Sequence, residues 1–135
     1  MNYKNLIKEA MDAREKSYSP YSKFKVGAAL LAENGKIFTG CNIENASYSP
    51  TNCAERTAIF KAVSEGVKDF LAIAVVGGFT NTDEYCFPCG VCRQVLQEFC
   101  SPDNFLIVVA KNEDEYKIYK LKELLPHGFG PEDMK

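Results

Sequence analysis

Four cysteines, one glutamate and one arginine carry the residue types in this chain that could do chemistry together. Cys86-Phe87-Pro88-Cys89-Gly90-Val91-Cys92 holds three thiols in two overlapping Cys-x-x-Cys spacings. Upstream, Cys53-Ala54-Glu55-Arg56 adds a thiol, a carboxylate and a guanidinium within one turn. Proline is favoured at a first helical position, so Pro88 predicts a helix start with Cys89 and Cys92 in its first turn and Cys86 outside it. Residues three apart on a helix share a face. The free N–H groups and partial positive charge of a helix start also favour thiolate. Two thiolates at this spacing are half of a tetrahedral zinc site, and a third from Cys53 leaves one position open, as in catalytic rather than closed structural sites.

Other readings compete for the same thiols. A redox Cys-x-x-Cys pair lacks the strand–helix context of the thioredoxin type, and a closed four-thiolate zinc would recruit Cys86 or Cys41. Spacing alone does not choose between the two overlapping pairs; Pro88 favours Cys89 with Cys92. Cys100, at the far end of the same helix, reads as a small core residue. Glu55 beside a three-thiolate zinc of net charge −1 would be pushed towards its protonated form, which suits a proton carrier near neutral pH. An isolated glutamate early in a helix would more often just complement the helix dipole. Arg56, on the Cys53 face, could hydrogen-bond ligand sulfur and offset the negative charge.

The elements that must position these groups follow from periodicity. Apolar residues at Tyr3, Leu6, Ile7, Ala10 and Met11 predict a helix to about Lys16, ended before Pro20. Phe24–Leu31 and Ile37–Cys41 flank an Asn34-Gly35 turn and predict an antiparallel hairpin. Asn42 to Asn52 is polar and aperiodic, equally a solvated connector or a binding loop. A second helix runs from about Cys53 to Glu65, with Gly66 after it. The apolar run Phe70–Val76 predicts a strand buried on both faces. Phe79 to Phe87 is a loop before the third helix, which continues through Phe99. Phe105–Ala110 is a further buried strand, Tyr116–Lys120 an edge strand, and Leu121–Leu125 a short helix before a Gly- and Pro-punctuated tail. The order α-β-β-α-β-α-β-β-α predicts an α/β fold, a mixed five-stranded sheet with helices on both faces. The helix starts after strands two and three, where Cys53 and Cys89 sit, can then meet at one end.

The totals bound the class. A chain of 135 residues, 46% hydrophobic and 25% charged, predicts one domain, residues 1–135, with a single core. Its longest apolar run is far shorter than a membrane span, and the N-terminus lacks the apolar core of a signal peptide, so a cytoplasmic location is expected. In a reducing compartment six cysteines point to metal or redox chemistry rather than disulfides. A net charge of −2 without a basic block disfavours nucleic acid and favours a small neutral partner.

The combination Cys53-Ala54-Glu55 with Pro88-Cys89-Gly90-Val91-Cys92-Arg93-Gln94 resembles the zinc-deaminase signature. Tyr18-Ser19-Pro20-Tyr21-Ser22, Phe24-Lys25-Val26-Gly27-Ala28-Ala29 and Asn42-Ile43-Glu44-Asn45-Ala46-Ser47-Tyr48 extend the likeness over nearly the whole chain. The chain is similar to the cytidine deaminase family, in particular its short homotetrameric type with a three-cysteine zinc. That resemblance implies a three-layer α-β-α sandwich, one Zn2+ per chain on Cys53, Cys89 and Cys92, and Glu55 as the catalytic proton carrier. It implies hydrolysis of cytidine and 2′-deoxycytidine to uridine and 2′-deoxyuridine plus ammonia, in pyrimidine salvage. Asn42 and Glu44 match positions that bind the ribose 3′-hydroxyl, and Phe24 matches the aromatic against the base. The main chain at Ala54 joins Glu55 at the pyrimidine edge. Ala46 and Tyr48 match positions reaching a neighbouring subunit's pocket, and Phe129 a C-terminal aromatic lid. Cys86 matches no ligand position. Three alternatives keep some of these features: an aminonucleoside-antibiotic deaminase, disfavoured by the Asn42–Tyr48 loop; a tRNA-editing deaminase, disfavoured by the charge; and a non-catalytic module with four thiolates on zinc.

Overall fold

The computed structural model describes residues 1–79 and 84–135; positions 80 to 83 of the loop expected between Phe79 and Phe87 lie outside the described residues. Helix α1 (Tyr3–Arg14) leads into strands β1 (Lys25–Ala32) and β2 (Ile37–Cys41). Helix α2 (Ala54–Ser64), strand β3 (Phe70–Gly78) and helix α3 (Gly90–Phe99) follow. Strands β4 (Leu106–Ala110) and β5 (Tyr116–Lys120), helix α4 (Leu121–Leu124) and a short 3-10 turn (Pro131–Met134) complete the chain. The strands form one sheet in the order β2-β1-β3-β4-β5. Only β3 and β4 run parallel, joined by the α3 crossover; the other neighbours are antiparallel.

The two faces of the sheet separate by the period-2 alternation of β1, β3 and β4. Leu30, Ile73, Val75, Ile107 and Val109 face α2 and α3, packing with Ala58, Ile59 and Leu96. Ala29, Ala72, Ala74, Val76 and Val108 face the other way, onto Leu6, Ile7 and Ala10 of α1. Small residues let the helices sit directly on the strands. A Cβ at Gly27 would lie 2.0 Å from the Ala10 carbonyl oxygen, and one at Gly40 would lie 2.5 Å from that of Ala54. These contacts fix α1 over β1, and the first turn of α2 over β2. This is the three-layer α-β-α arrangement with a mixed five-stranded sheet.

Two boundaries bear on the chemistry. Helix α3 begins at Gly90 rather than at Pro88, so Cys89 is its N-cap and Cys92 lies in its first turn. Cys53 is likewise the N-cap of α2 rather than its first residue. Neither thiol makes a side-chain capping bond. Two helices thus forgo the Ser, Thr, Asp or Asn cap, which is typically worth ~1 kcal/mol each, and present thiols at their positive ends instead. Among the described residues no helix is long and apolar enough to cross a membrane.

Candidate active site

Helices α2 and α3 bring their N-caps together. The Sγ atoms of Cys53 and Cys89 are 3.7 Å apart, and those of Cys53, Cys89 and Cys92 all lie within 4.8 Å of one another. Zinc bound tetrahedrally with Zn–S bonds near 2.3 Å sets sulfurs ~3.8 Å apart, so the three thiols fit that ion with little adjustment. Cys86 is outside this group. Burial pushes its thiol up to about 12, with the negative charges of Glu55 and Cys53 adding to the effect. It is a neutral wall beside the site, its sulfur only 3.0 Å from where a Gly77 Cβ would be. The four-thiolate arrangement therefore has no geometric support. Cys100 is buried at the end of α3, and burial raises its thiol.

The thiols are prepared for metal. A hydrogen bond with Cys92, together with bonds from Arg56 and Cys89, holds Cys53 down to about 5 despite its burial. The same bond raises Cys92, so the pair holds one proton between them, which a metal would release on binding. Arg56 donates from its terminal nitrogen to Cys53 Sγ at 3.2 Å. Burial works against the guanidinium charge, but its bonds to Cys53 and Cys92 outweigh that and hold it protonated. Glu55, in the first turn of α2, is 4% exposed. Burial, reinforced by the Cys53 charge and opposed by Arg56, pushes its carboxyl up to about 7. A carboxyl so placed can both take and return a proton near neutrality.

An inner cavity opens at this cluster, and an outer one shares Thr51 with it. The inner one, about 170 Å³, is lined by Phe24, Val26, Asn42, Ala54, Glu55, Cys86 and Phe87 with Cys53 and Cys89. It is smaller than the ~300 Å³ at which whole-ligand pockets begin, a size for a ring rather than a nucleoside. The outer one, about 360 Å³, is lined by Tyr21, Ser22, Glu44, Tyr48 and Thr51. The polar stretch after β2 is ordered by bridges from Ile43 to both Tyr18 and Asn52. Asn42 is nearly used up internally. Its Oδ1 accepts from Val26 N at 2.9 Å and from Ser17 Oγ, and its Nδ2 donates to the Phe24 carbonyl at 2.7 Å, leaving one N–H. Glu44 accepts from Tyr21 N at 3.0 Å, from Ser22 N at 3.1 Å, and from the Ser22 hydroxyl. The Ser22 hydroxyl bond holds its carboxyl below the usual range.

Of the remaining sequence candidates, Tyr48 lines the outer cavity in a left-handed backbone conformation, φ 60°, with its ring edge-on to Tyr21. Ala46 is exposed on the same loop, and neither cavity includes it. Phe129 is exposed and lines neither cavity; its carbonyl accepts from Gln94 Nε2 of α3 at 2.7 Å. Sequence reasoning passed over Ser22, which organises Glu44; Phe87, which lines the inner cavity; and Phe79, whose ring packs on Phe24 at 5.2 Å. Phe79 had one available signal, its place directly after a buried strand's C-terminal end, where α/β folds put their sites.

With this geometry in view, comparisons with known proteins agree on one family. Residues 1–108 match the family model of the cytidine and deoxycytidylate deaminase zinc-binding region. A cytidine deaminase of Sporosarcina psychrophila is 51% identical over 134 residues, 99% of this chain and 96% of that protein. A cytidine deaminase of Halalkalibacterium halodurans is also 51% identical, covering 99% of this chain and 98% of that one. The crystal structure of cytidine deaminase from Burkholderia pseudomallei superposes with a TM-score of 0.87 at 47% identity, covering 96% of this chain and all of the other. That from Mycobacterium tuberculosis gives 0.80 at 38% identity, covering 96% and 98%. The paired N-cap thiols, the buried glutamate beside them and these full-length likenesses together place the chain in the zinc-dependent cytidine and deoxycytidylate deaminase family.

Proposed function

We propose that this single-domain chain hydrolyses cytidine and 2′-deoxycytidine to uridine and 2′-deoxyuridine with release of ammonia, as a step of pyrimidine salvage. The observation that carries the reading is the buried Glu55 carboxyl beside three thiols spaced for zinc. Cys53, Cys89 and Cys92 hold one Zn2+, with Arg56 offsetting their charge. Bound zinc supplies Lewis acidity that makes water a nucleophile near neutral pH. Glu55 takes one proton of the attacking water and delivers it to N3 of the base as C4 is attacked, then takes the proton of the new C4 hydroxyl and passes it to the departing amine, which leaves as ammonia. The Ala54 main chain meets the pyrimidine edge and Phe24 the ring.

Asn42, with its one remaining N–H, and Glu44, with its pre-set carboxylate, meet the ribose 3′-hydroxyl in the outer cavity. A net charge of −2 suits a neutral nucleoside and gives no grip on nucleic acid or membrane. The chain works as a cytoplasmic homotetramer in which Ala46, Tyr48 and Phe129 reach a neighbour's pocket; their exposure and their absence from the lining of their own chain's inner cavity support this. The test is loss of cytidine absorbance with purified protein alongside its zinc stoichiometry. Conversion with one zinc per chain is expected, and zinc-loaded protein that leaves cytidine unchanged overturns the reading.

A further inference from the structure

The aromatic wall of the inner cavity has a support that the deaminase signature does not contain. Phe24 meets the ring of Phe79 edge-on, with centroids 5.2 Å apart and planes at 75°. Phe79 directly follows the last residue of β3, and the backbone there is held from the opposite face of the sheet. Arg14, the last residue of α1, donates Nε to the Lys25 carbonyl at 3.0 Å. One of its terminal nitrogens donates to the carbonyls of Gly78 at 2.8 Å and Phe79 at 3.3 Å. Lys25 and Gly78 are register partners at the ends of β1 and β3. One guanidinium therefore grips the residue that follows Phe24, Phe79 itself and the residue before it.

We propose that Arg14 and Phe79 are positioning residues for the base: Arg14 fixes the two backbone segments, and the Phe79 ring holds the Phe24 ring at the cavity wall. This rests on Phe24 facing the base, as read above. An edge-to-face aromatic pair is a directional contact, so removing it frees Phe24 to pivot about its side-chain bonds. Arg14 suits its part because its planar fork presents several donors at once, which lysine cannot do. Neither residue touches the reacting atoms, so the effect falls on substrate binding rather than on the chemical step.

The experiment is steady-state kinetics on the full-length zinc-loaded protein, with zinc content and melting temperature measured for each variant. Phe79→Leu and Arg14→Ala are each expected to raise KM for cytidine about 3- to 10-fold, the range of one aromatic pair, with kcat within about two-fold and zinc retained. Phe79→Tyr keeps the ring and restores KM, while Arg14→Lys recovers it only partly. The double variant Arg14→Ala/Phe79→Leu is expected to be no worse than the worse single one, because both act through the same ring. An unchanged KM in Phe79→Leu overturns the inference, as do additive losses in the double variant. A fall in melting temperature with KM intact overturns it too, by assigning Arg14 a structural role only. Wild-type protein that leaves cytidine untouched overturns the functional reading and this one with it. Active wild-type protein with an indifferent Phe79→Leu overturns this one alone.

Discussion

Glu55 and Arg56 are consecutive, yet the fold assigns them opposite electrical work. Glu55 is buried where its carboxyl is pushed up to about 7, whereas Arg56 is held charged against the thiols. Replacing Glu55 by Gln keeps the shape and removes the proposed proton carrier. Turnover is expected to fall by at least ~10²-fold, the usual range for a positioned acid–base group, while zinc stays bound; uridine formation and metal analysis check both halves. Arg56→Gln removes the donor to Cys53 Sγ and leaves three thiolates with less compensation. Zinc affinity is expected to drop by ~10- to 100-fold, as for other outer partners of metal ligands, read by competition with a chelator. Glu44 offers a pH test. The Ser22 hydroxyl lowers its carboxyl, so the charged form, and the ribose binding proposed for it, is present above the ordinary carboxylate range and is lost only as pH falls through the lowered value. KM for cytidine is expected to stay level on that account from pH 7 to 5 in wild type. In Ser22→Ala the rise in KM on acidification begins at higher pH.

At the scale of elements, the helices, hairpin and buried strands were legible because their apolar periods of 3.6 and 2 are strong in this chain. What periodicity could not fix was where each helix begins. Pro88 predicted the start of α3, but the chain is still extended at Cys89, φ −68° and ψ 167°, and turns helical at Gly90. The thiol pair survived that shift because an N-cap and the third helical residue still face one another. The Asn42–Asn52 stretch gave no periodic signal at all. Its order comes from isolated bridges and from side chains such as Asn42 that bond backbone far away in sequence, and the resemblance to a family, not pattern, is what drew attention to Asn42 and Glu44. The close seating of α2 on β2 was equally invisible until both elements were in place. It yields a test: Gly40→Ala drives a methyl towards Ala54 O and Ala58 N, at 2.5 and 2.6 Å, backbone atoms that cannot rotate away. Overpacking of this kind costs ~1–3 kcal/mol. Because Cys53 caps the same helix, zinc occupancy is expected to fall along with the urea midpoint. A variant that loses stability but keeps full zinc would show that α2 moves as a rigid unit with its cap.

For the whole molecule, the inner cavity has room for a ring, and among the described residues the outer one is walled by one loop and the Tyr21–Ser22 segment. Tyr48 is 71% exposed and Phe129 59% exposed, so both rings are free to meet another surface. The proposed completion of each site by a second copy fits both features, and sharing makes a prediction that no isolated chain can satisfy. On that proposal a Phe129→Ala chain keeps Glu55 and its thiols but offers no lid to its neighbour, and a Glu55→Gln chain is expected not to turn over but still to offer its Phe129. In a mixed assembly of the two, some intact catalytic centres receive an intact lid. Homogeneous Phe129→Ala protein is expected to show a raised KM for cytidine, and homogeneous Glu55→Gln protein almost no turnover. Co-refolding the two in equal amounts should lower the KM of the remaining activity towards the wild-type value. Mixing them without dissociation should not. If the co-refolded mixture gives only the KM of Phe129→Ala, each chain completes its own site and Phe129 reaches no neighbour.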